Sequence, residues 1–278
     1  MPAILTLFLA ALTTAPGPAV VWKDGFGRAS LWNDGTAEVS TYRATDLRYG
    51  TRRTSRAVLI VVAEDLLPDR LVKADHPERA ARTLRVLKLN HVRSIRTGVY
   101  SYQQMLSAFL GADRLEPVKL SMTSHEWCGN SFAEWRADRP SIAIRTYFES
   151  PGDVDAPLAP GDALFYDSLP LRLRGLDFAR TRGGTVRIVD TVFSSRPEPP
   201  GIDVANLQVS RAGNRWRVTL QRGPKTDVLE FEEAFPHRLA RWERSDGGSL
   251  ELSSSQRFKY WERNAPGDEE LLSGASTR

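Results

Sequence analysis

One cysteine, Cys128, and four histidines in 278 residues leave little material for two common kinds of protein chemistry. A lone thiol forms no intramolecular disulfide, so the core alone holds the chain. Cys128 is then either a small buried hydrophobe or a free thiol. His76, His91, His125 and His237 stand far apart and lack the ligand spacing of a zinc site, so neither a metal nor a cofactor is expected. A Gly-x-Ser-x-Gly elbow, a Walker loop, a Gly-x-Gly-x-x-Gly turn, a His-Glu-x-x-His pair and a Cys-x-x-Cys pair are all missing. No catalytic residue set can be assembled from what is left. Long hydrophobic runs are absent too, and the longest falls short of the hydrocarbon core, roughly 30 Å, that a spanning helix must cross.

Positive charge is only mildly in excess, at +4, and is mixed with Asp and Glu along the chain. That excludes the concentrated basic face of a nucleic-acid binder, and no nucleic acid is expected as a partner. The densest basic run, Arg43, Arg48, Arg52, Arg53 and Arg56, reads as a hairpin with arginines on its wet face.

The chain starts MPAILTLFLAALTTA and continues into Pro16-Gly17-Pro18. An uncharged apolar stretch of this length, followed by small residues suited to cleavage near Ala15 or Ala19, predicts a signal peptide over 1–19 and a periplasmic or secreted product. No cysteine follows it, so no lipid anchor at a mature N-terminal cysteine is expected.

Two-residue alternation recurs where helical periodicity does not. Val118, Leu120 and Met122 oppose Lys119, Ser121 and Thr123; Trp216, Val218 and Leu220 oppose Arg215, Arg217 and Thr219. Similar patterns run through Ile142, Ile144 and Phe148 and through Val186, Ile188 and Val192. Asn33-Asp34-Gly35, Arg211 to Asn214, Gly223-Pro224 and Asp246-Gly247-Gly248 are read as turns between such runs. Ala57 to Ala63 is apolar throughout and predicts a strand covered on both faces. The fold class that follows is mainly β: a large antiparallel sheet system, whether curved sheet, barrel or sandwich, with few short helices. Weak helix signals lie at Pro77–Leu84 and Gly161–Leu169. The Pro-rich stretches Ser150–Pro160 and Ser195–Gly201 bound an N-terminal β region, 20–150, and a C-terminal β meander, 160–263. The two are expected to share one sheet system, ahead of a polar, disordered tail over 264–278.

His125-Glu126-Trp127-Cys128 places a base, an acid and a nucleophile type side by side. On a strand, however, His125 and Cys128 point to opposite faces, and only a turn or bulge at Gly129 would let them meet. Glu126 and Cys128 share the parity of Leu120 and Met122, which predicts that both face inward, with an arginine from a neighbouring strand as partner for Glu126. Tyr100 and Tyr102 lie on one strand face, among aromatics that include Trp22, Trp32, Tyr42, Trp127, Trp135, Tyr147 and Phe148. Such rings serve a core or line a pocket. The candidate ligand-binding residues are therefore Tyr100, Tyr102, His125, Glu126, Trp127 and Cys128.

Trp32 to Glu38 with Tyr42, Ala57 to Glu64, Val86 to Asn90, Thr97 to Tyr102, Glu126-Trp127-Cys128-Gly129 and Tyr147-Phe148-Glu149 together resemble a family of uncharacterised exported bacterial envelope β proteins. Ser168-Leu169-Pro170, Phe235 to Leu239 and Tyr260-Trp261 are similar to a second group of exported β proteins of unknown function. Their shape looks like that of lipoprotein carriers, a curved sheet around an apolar hollow. These resemblances imply compartment and architecture rather than a reaction. The expected function is that of a non-catalytic binding or structural protein of the cell envelope, holding a lipophilic small molecule in a β cavity or meeting another envelope component. A hydrolase using Cys128 with His125, or a carboxylate pair, is the alternative.

Overall fold

The computed structural model describes residues 19–272. The leading segment that carries the export expectation lies almost wholly outside them, as do residues 273–278. Sixteen strands follow in chain order: β1 (Ala37–Arg48), β2 (Thr51–Leu67), β3 (Val72–Lys73), β4 (Leu84–Arg96), β5 (Ser101–Gly111), β6 (Pro117–Glu126), β7 (Gly129–Arg136), β8 (Ser141–Thr146), β9 (Val154–Pro157), β10 (Leu164–Phe165), β11 (Gly183–Val189), β12 (Ile202–Ala212), β13 (Arg215–Arg222), β14 (Lys225–Glu232), β15 (Leu239–Glu243) and β16 (Ser249–Phe258). One α-helical turn, α1 (Leu169–Arg172), and several short 3-10 turns complete the described residues.

The strands form one curved sheet in the order β10-β11-β12-β13-β14-β15-β16-β1-β2-β4-β5-β6-β7-β8-β9, with β3 beside β2. Pairing is antiparallel except between β10 and β11. The predicted fold class holds, in its curved-sheet form. What joins the two sequence halves is β1 on β16, paired from Ala37 opposite Phe258 to Thr45 opposite Ser249 with a register shift between Thr41 and Tyr42.

Alternation sorts faces as expected. Leu120 and Met122 are enclosed, whereas Thr123 and His125 are exposed. The β12–β13 and β13–β14 turns are tight because Gly213 and Gly223 take φ of 62° and 54°, which a side chain would resist. Asn33–Gly35 differs from its expected role. It leads from a 3-10 turn, Ser30–Asn33, into β1 rather than linking two strands. Of the expected 77–84 helix only a 3-10 turn, Pro77–Arg79, forms, because this exposed stretch has no apolar stripe to bury. The helix signal at 161–169 displaces to a 3-10 turn at Tyr166–Ser168 and then α1.

Residues 57–63 lie in β2 and are covered on both sides. Ala57, Leu59 and Val61 join the main core, while Val58, Ile60 and Val62 pack with Phe258, Tyr260 and Leu272 on the outer face. Of the tail from 264 onward, Leu272 at the end of the Asp268–Leu272 turn packs on that second apolar face, while most of residues 264–270 are exposed.

The concave side is not a hollow. Tyr166, Leu169, Leu171, Leu173, Leu176 and Phe178 are buried and belong to the same core cluster as strands from both halves of the sheet. Trp135 of β7 meets Phe165 of β10 at 4.7 Å between ring centroids, and Tyr166 meets Trp242 of β15 at 5.2 Å. Residues 158–178 thus act as a plug. The edge strands β9 and β10 stay unpaired with one another, so the sheet curls around the plug and leaves a seam instead of closing into a barrel.

Candidate functional site

The plug carries two arginines inside an apolar run, Leu169-Pro170-Leu171-Arg172-Leu173-Arg174-Gly175-Leu176, and the two are treated differently. Arg174 donates to both carboxylate oxygens of Glu38 at 2.9 Å, and its Nε donates to the Pro236 carbonyl at 2.8 Å. Arg172, 8% exposed, has no carboxylate within ion-pair distance. Among the described residues the other enclosed guanidinium groups do: Arg93 and Arg244 share Asp46, and Arg222 holds Asp190.

The reason for the difference is positional. Arg172 ends α1, where Leu169 and Leu171 anchor the turn in the core and direct the next side chain toward the seam. There its guanidinium lies 3.5 Å from the centroid of the Trp22 ring, and Nη1 donates to the Arg114 carbonyl at 2.5 Å. The Nε is sealed from solvent without a partner, and Nη2 makes no hydrogen bond. Burial lowers the guanidinium to about 10, partly countered by the field of Glu116, so it remains a cation at neutral pH.

Arg172 borders a cleft of about 960 Å³ beside the seam. Trp22, Trp135, Leu158, Leu164 and Val186 supply its apolar walls. Trp22 is fixed because the 21–23 segment is strapped to the plug: Lys23 N–H donates to the Gly175 carbonyl, Asp177 N–H to the Val21 carbonyl and Val21 N–H to the Thr181 hydroxyl. Trp135 is fixed by its indole N–H on the Leu158 carbonyl at 3.3 Å. Of the acids lining it, Asp24 pairs with Arg114, Asp138 with Arg136 and Asp162 with Arg187, while Glu116 has no ion pair among the described residues and its field reaches Arg172. An apolar groove with one unmatched buried cation is suited to an amphiphile whose polar end is anionic. Of the guanidinium nitrogens only Nη2 is neither sealed nor hydrogen-bonded, and it can donate to one oxygen of a carboxylate.

The residues singled out from sequence gather elsewhere, at the opposite end of the sheet. The Tyr49 hydroxyl meets the hydroxyls of Tyr100 and Tyr102, each at 2.7 Å, and Tyr100 stacks on Trp127 at 6.0 Å. Tyr102 is enclosed; Trp127 is 76% exposed. Tyr100, His125, Glu126 and Trp127 border an open depression of about 570 Å³, to which Tyr102 and Cys128 do not contribute.

Cys128 corrects the parity argument. Strand β6 stops at Glu126, the chain turns at Trp127-Cys128, and β7 starts at Gly129, so Glu126 is buried as expected but Cys128 is exposed. No arginine pairs with Glu126 among the described residues; its carboxylate accepts the Cys128 N–H at 3.2 Å instead. Hydrogen bonding to Glu126 and its charge push the Cys128 thiol up, away from thiolate character. The imidazole of His125 is hydrogen-bonded to the Asn130 side chain and not to Cys128.

Sequence reasoning missed Arg172 as a site residue. The available signal was a pair of arginines inside the leucine-rich run Leu169–Leu176, which itself contains no carboxylate. Compared with known protein families, curated proteins and solved structures, the chain matches none. The likeness to exported envelope proteins therefore rests on the quoted motifs alone. No group of acidic, histidine or cysteine side chains able to hold a metal occurs among the described residues, and no helix there is long and apolar enough to cross a membrane.

Proposed function

We propose that this is an exported, non-catalytic binding protein that seats an anionic amphiphile, a long-chain carboxylate in the simplest case, in the cleft beside the seam. The observation that carries the reading is Arg172, an enclosed cation with no ion-paired carboxylate on the wall of an apolar groove, whereas the other enclosed arginines among the described residues are ion-paired. The carboxylate accepts from Nη2 of Arg172, and the chain lies along Trp135, Leu158, Leu164 and Val186. Each methylene removed from water contributes about 0.8 kcal/mol. The filled concave side speaks against a ligand at the centre of the sheet and moves the expected lipophile to the cleft.

The test is titration of delipidated protein with a fluorescent fatty acid and with its methyl ester. Wild type should prefer the acid. Arg172→Gln should bind the acid about tenfold to a hundredfold more weakly, the usual worth of a hydrogen bond to a charged group, and bind the ester as before. Wild type that takes up neither probe and yields no lipid on extraction ends the proposal.

A further inference from the structure

The four most exposed large apolar or aromatic side chains among the described residues are Val99 at 83%, Tyr147 at 77%, Trp127 at 76% and Tyr49 at 68%. Each stands at a hairpin tip. Tyr49 is in the β1–β2 turn, Val99 in β4–β5, Trp127 in β6–β7 and Tyr147 in β8–β9. Strand register puts all four tips at the same end of the sheet: Arg48 pairs with Thr51, Arg96 with Ser101, Glu126 with Gly129 and Ser131 with Thr146. With strands about 4.8 Å apart, the row extends roughly 30 Å. Single exposed hydrophobes are ordinary on a protein surface, but the most exposed ones are seldom collected on one rim.

The rim is organised. The Tyr49 hydroxyl ties its hairpin to β5, and Tyr100 stacks under Trp127. Gly129 leaves room for Tyr147, since a Cβ there would stand 2.7 Å from the Tyr147 ring. Aromatic and basic residues alternate along it. Arg48, Arg52, Arg53, Arg96 and Arg196 lie at this end without a carboxylate in ion-pair distance, whereas most charged side chains of the protein are paired. Arg48 lies over the Tyr102 ring and Arg196 over Phe148. The exposed acids at this end include Glu149, Asp153, Glu198, Asp203 and Asp246, the last ion-paired with Arg244.

From this juxtaposition we infer that the hairpin rim is a docking surface for an anionic phospholipid bilayer. The rings of Trp127, Tyr147 and Tyr49 and the side chain of Val99 enter the headgroup boundary, and the unmatched arginines meet lipid phosphates. Amphipathic rings favour that depth, and basic residues beside them add attraction to anionic lipid. The cleft with Arg172 lies at the other end of the sheet, so the inference does not rest on the proposed ligand.

The experiment is co-sedimentation of the purified protein with vesicles of phosphatidylcholine, with and without phosphatidylglycerol. Binding is expected only when phosphatidylglycerol is present, and it should fall as salt rises. Trp127→Ser should weaken it about tenfold, since a large ring then stays in water. Arg52→Gln and Arg96→Gln should each weaken it about fivefold. All three positions are exposed, and unchanged thermal melting will show that the variants fold. Failure of wild type to sediment with phosphatidylglycerol vesicles, equal binding to phosphatidylcholine alone, or variants that bind like wild type would each overturn the inference. So would self-association in sedimentation velocity that Trp127→Ser abolishes, because the rim would then be an interface between copies of the chain.

Discussion

Replacing Arg174 and Arg172 in turn by leucine tests whether a partnered and an unpartnered buried arginine differ as the structure requires. Arg174 is 2% exposed in its side chain and Glu38 5%, and the fork-to-fork contact at 2.9 Å is backed by the Pro236 carbonyl and the face of Trp32 at 5.4 Å. Arg174→Leu strands the Glu38 carboxylate in the core, a loss of about 3–5 kcal/mol. With a urea m-value of about 3 kcal/mol per molar, the unfolding midpoint should drop by about 1 M or more. Arg172→Leu strands no charge. It removes a hydrogen bond to the Arg114 carbonyl and a ring contact with Trp22, but it also relieves the cost of enclosing a lone cation, so its midpoint should move by less than half as much. Urea unfolding followed by circular dichroism measures both. Equal losses, or a larger loss for Arg172, would refute the claim that Arg172 is held without a structural partner, and the functional reading would go with it.

Asp167 is enclosed, and burial pushes its carboxyl up to about 6 from 3.8, against hydrogen bonds from Thr191 and the Val192 N–H and the field of Arg93. A carboxyl whose folded pKa exceeds the unfolded one adds most stability below about pH 4, and that stability is lost as pH rises through 6, a swing of about 3 kcal/mol. His91, neutral and enclosed near Arg93 and Arg244, works in the opposite sense, costing stability as pH falls below 6.5, so the raw profile mixes the two. The stability of Asp167→Asn relative to wild type isolates the carboxyl: it should rise between pH 4 and pH 7 in urea unfolding, and a flat difference would contradict the assignment. Gly183 faces the Leu207 carbonyl so closely that a Cβ would stand 2.6 Å from its oxygen. Gly183→Ala should therefore cost about 1–3 kcal/mol by pushing β11 from β12, seen as a thermal midpoint lower by several degrees; an unchanged midpoint would contradict the tight approach.

The strands were legible because a half-buried strand writes its faces into every second residue, as in Val118–Thr123, and because Gly213 and Gly223 mark turns only glycine makes comfortably. Long-range pairing was not. Nothing in Ala37–Thr45 names Ser249–Phe258 as its neighbour, since both simply alternate. Residues 160–178 were misjudged for a related reason: irregular buried backbone has no period, so an apolar filler reads as the start of a β meander with a weak helix signal. Cys128 failed where regularity was assumed one residue too far, past the end of β6 at Glu126. The cleft could not be read at all, because Trp22, Trp135, Arg172 and Val186 meet only once the sheet has curled.

The seam explains why a binding site would lie there and not within the sheet. Everywhere along the path from β10 to β9 neighbouring strands exchange ladder hydrogen bonds, and separating them would leave buried N–H and C=O groups without partners. Between β9 and β10 there is no ladder to break. That gap is bridged by side chains, notably the ring of Trp135 on Phe165. Widening it by the thickness of an acyl chain exchanges one set of apolar contacts for another. Arg172 stands beside that gap without an ion-paired carboxylate, opposed only by the field of Glu116, so under the proposed reading an anion would enter where no ladder has to be broken.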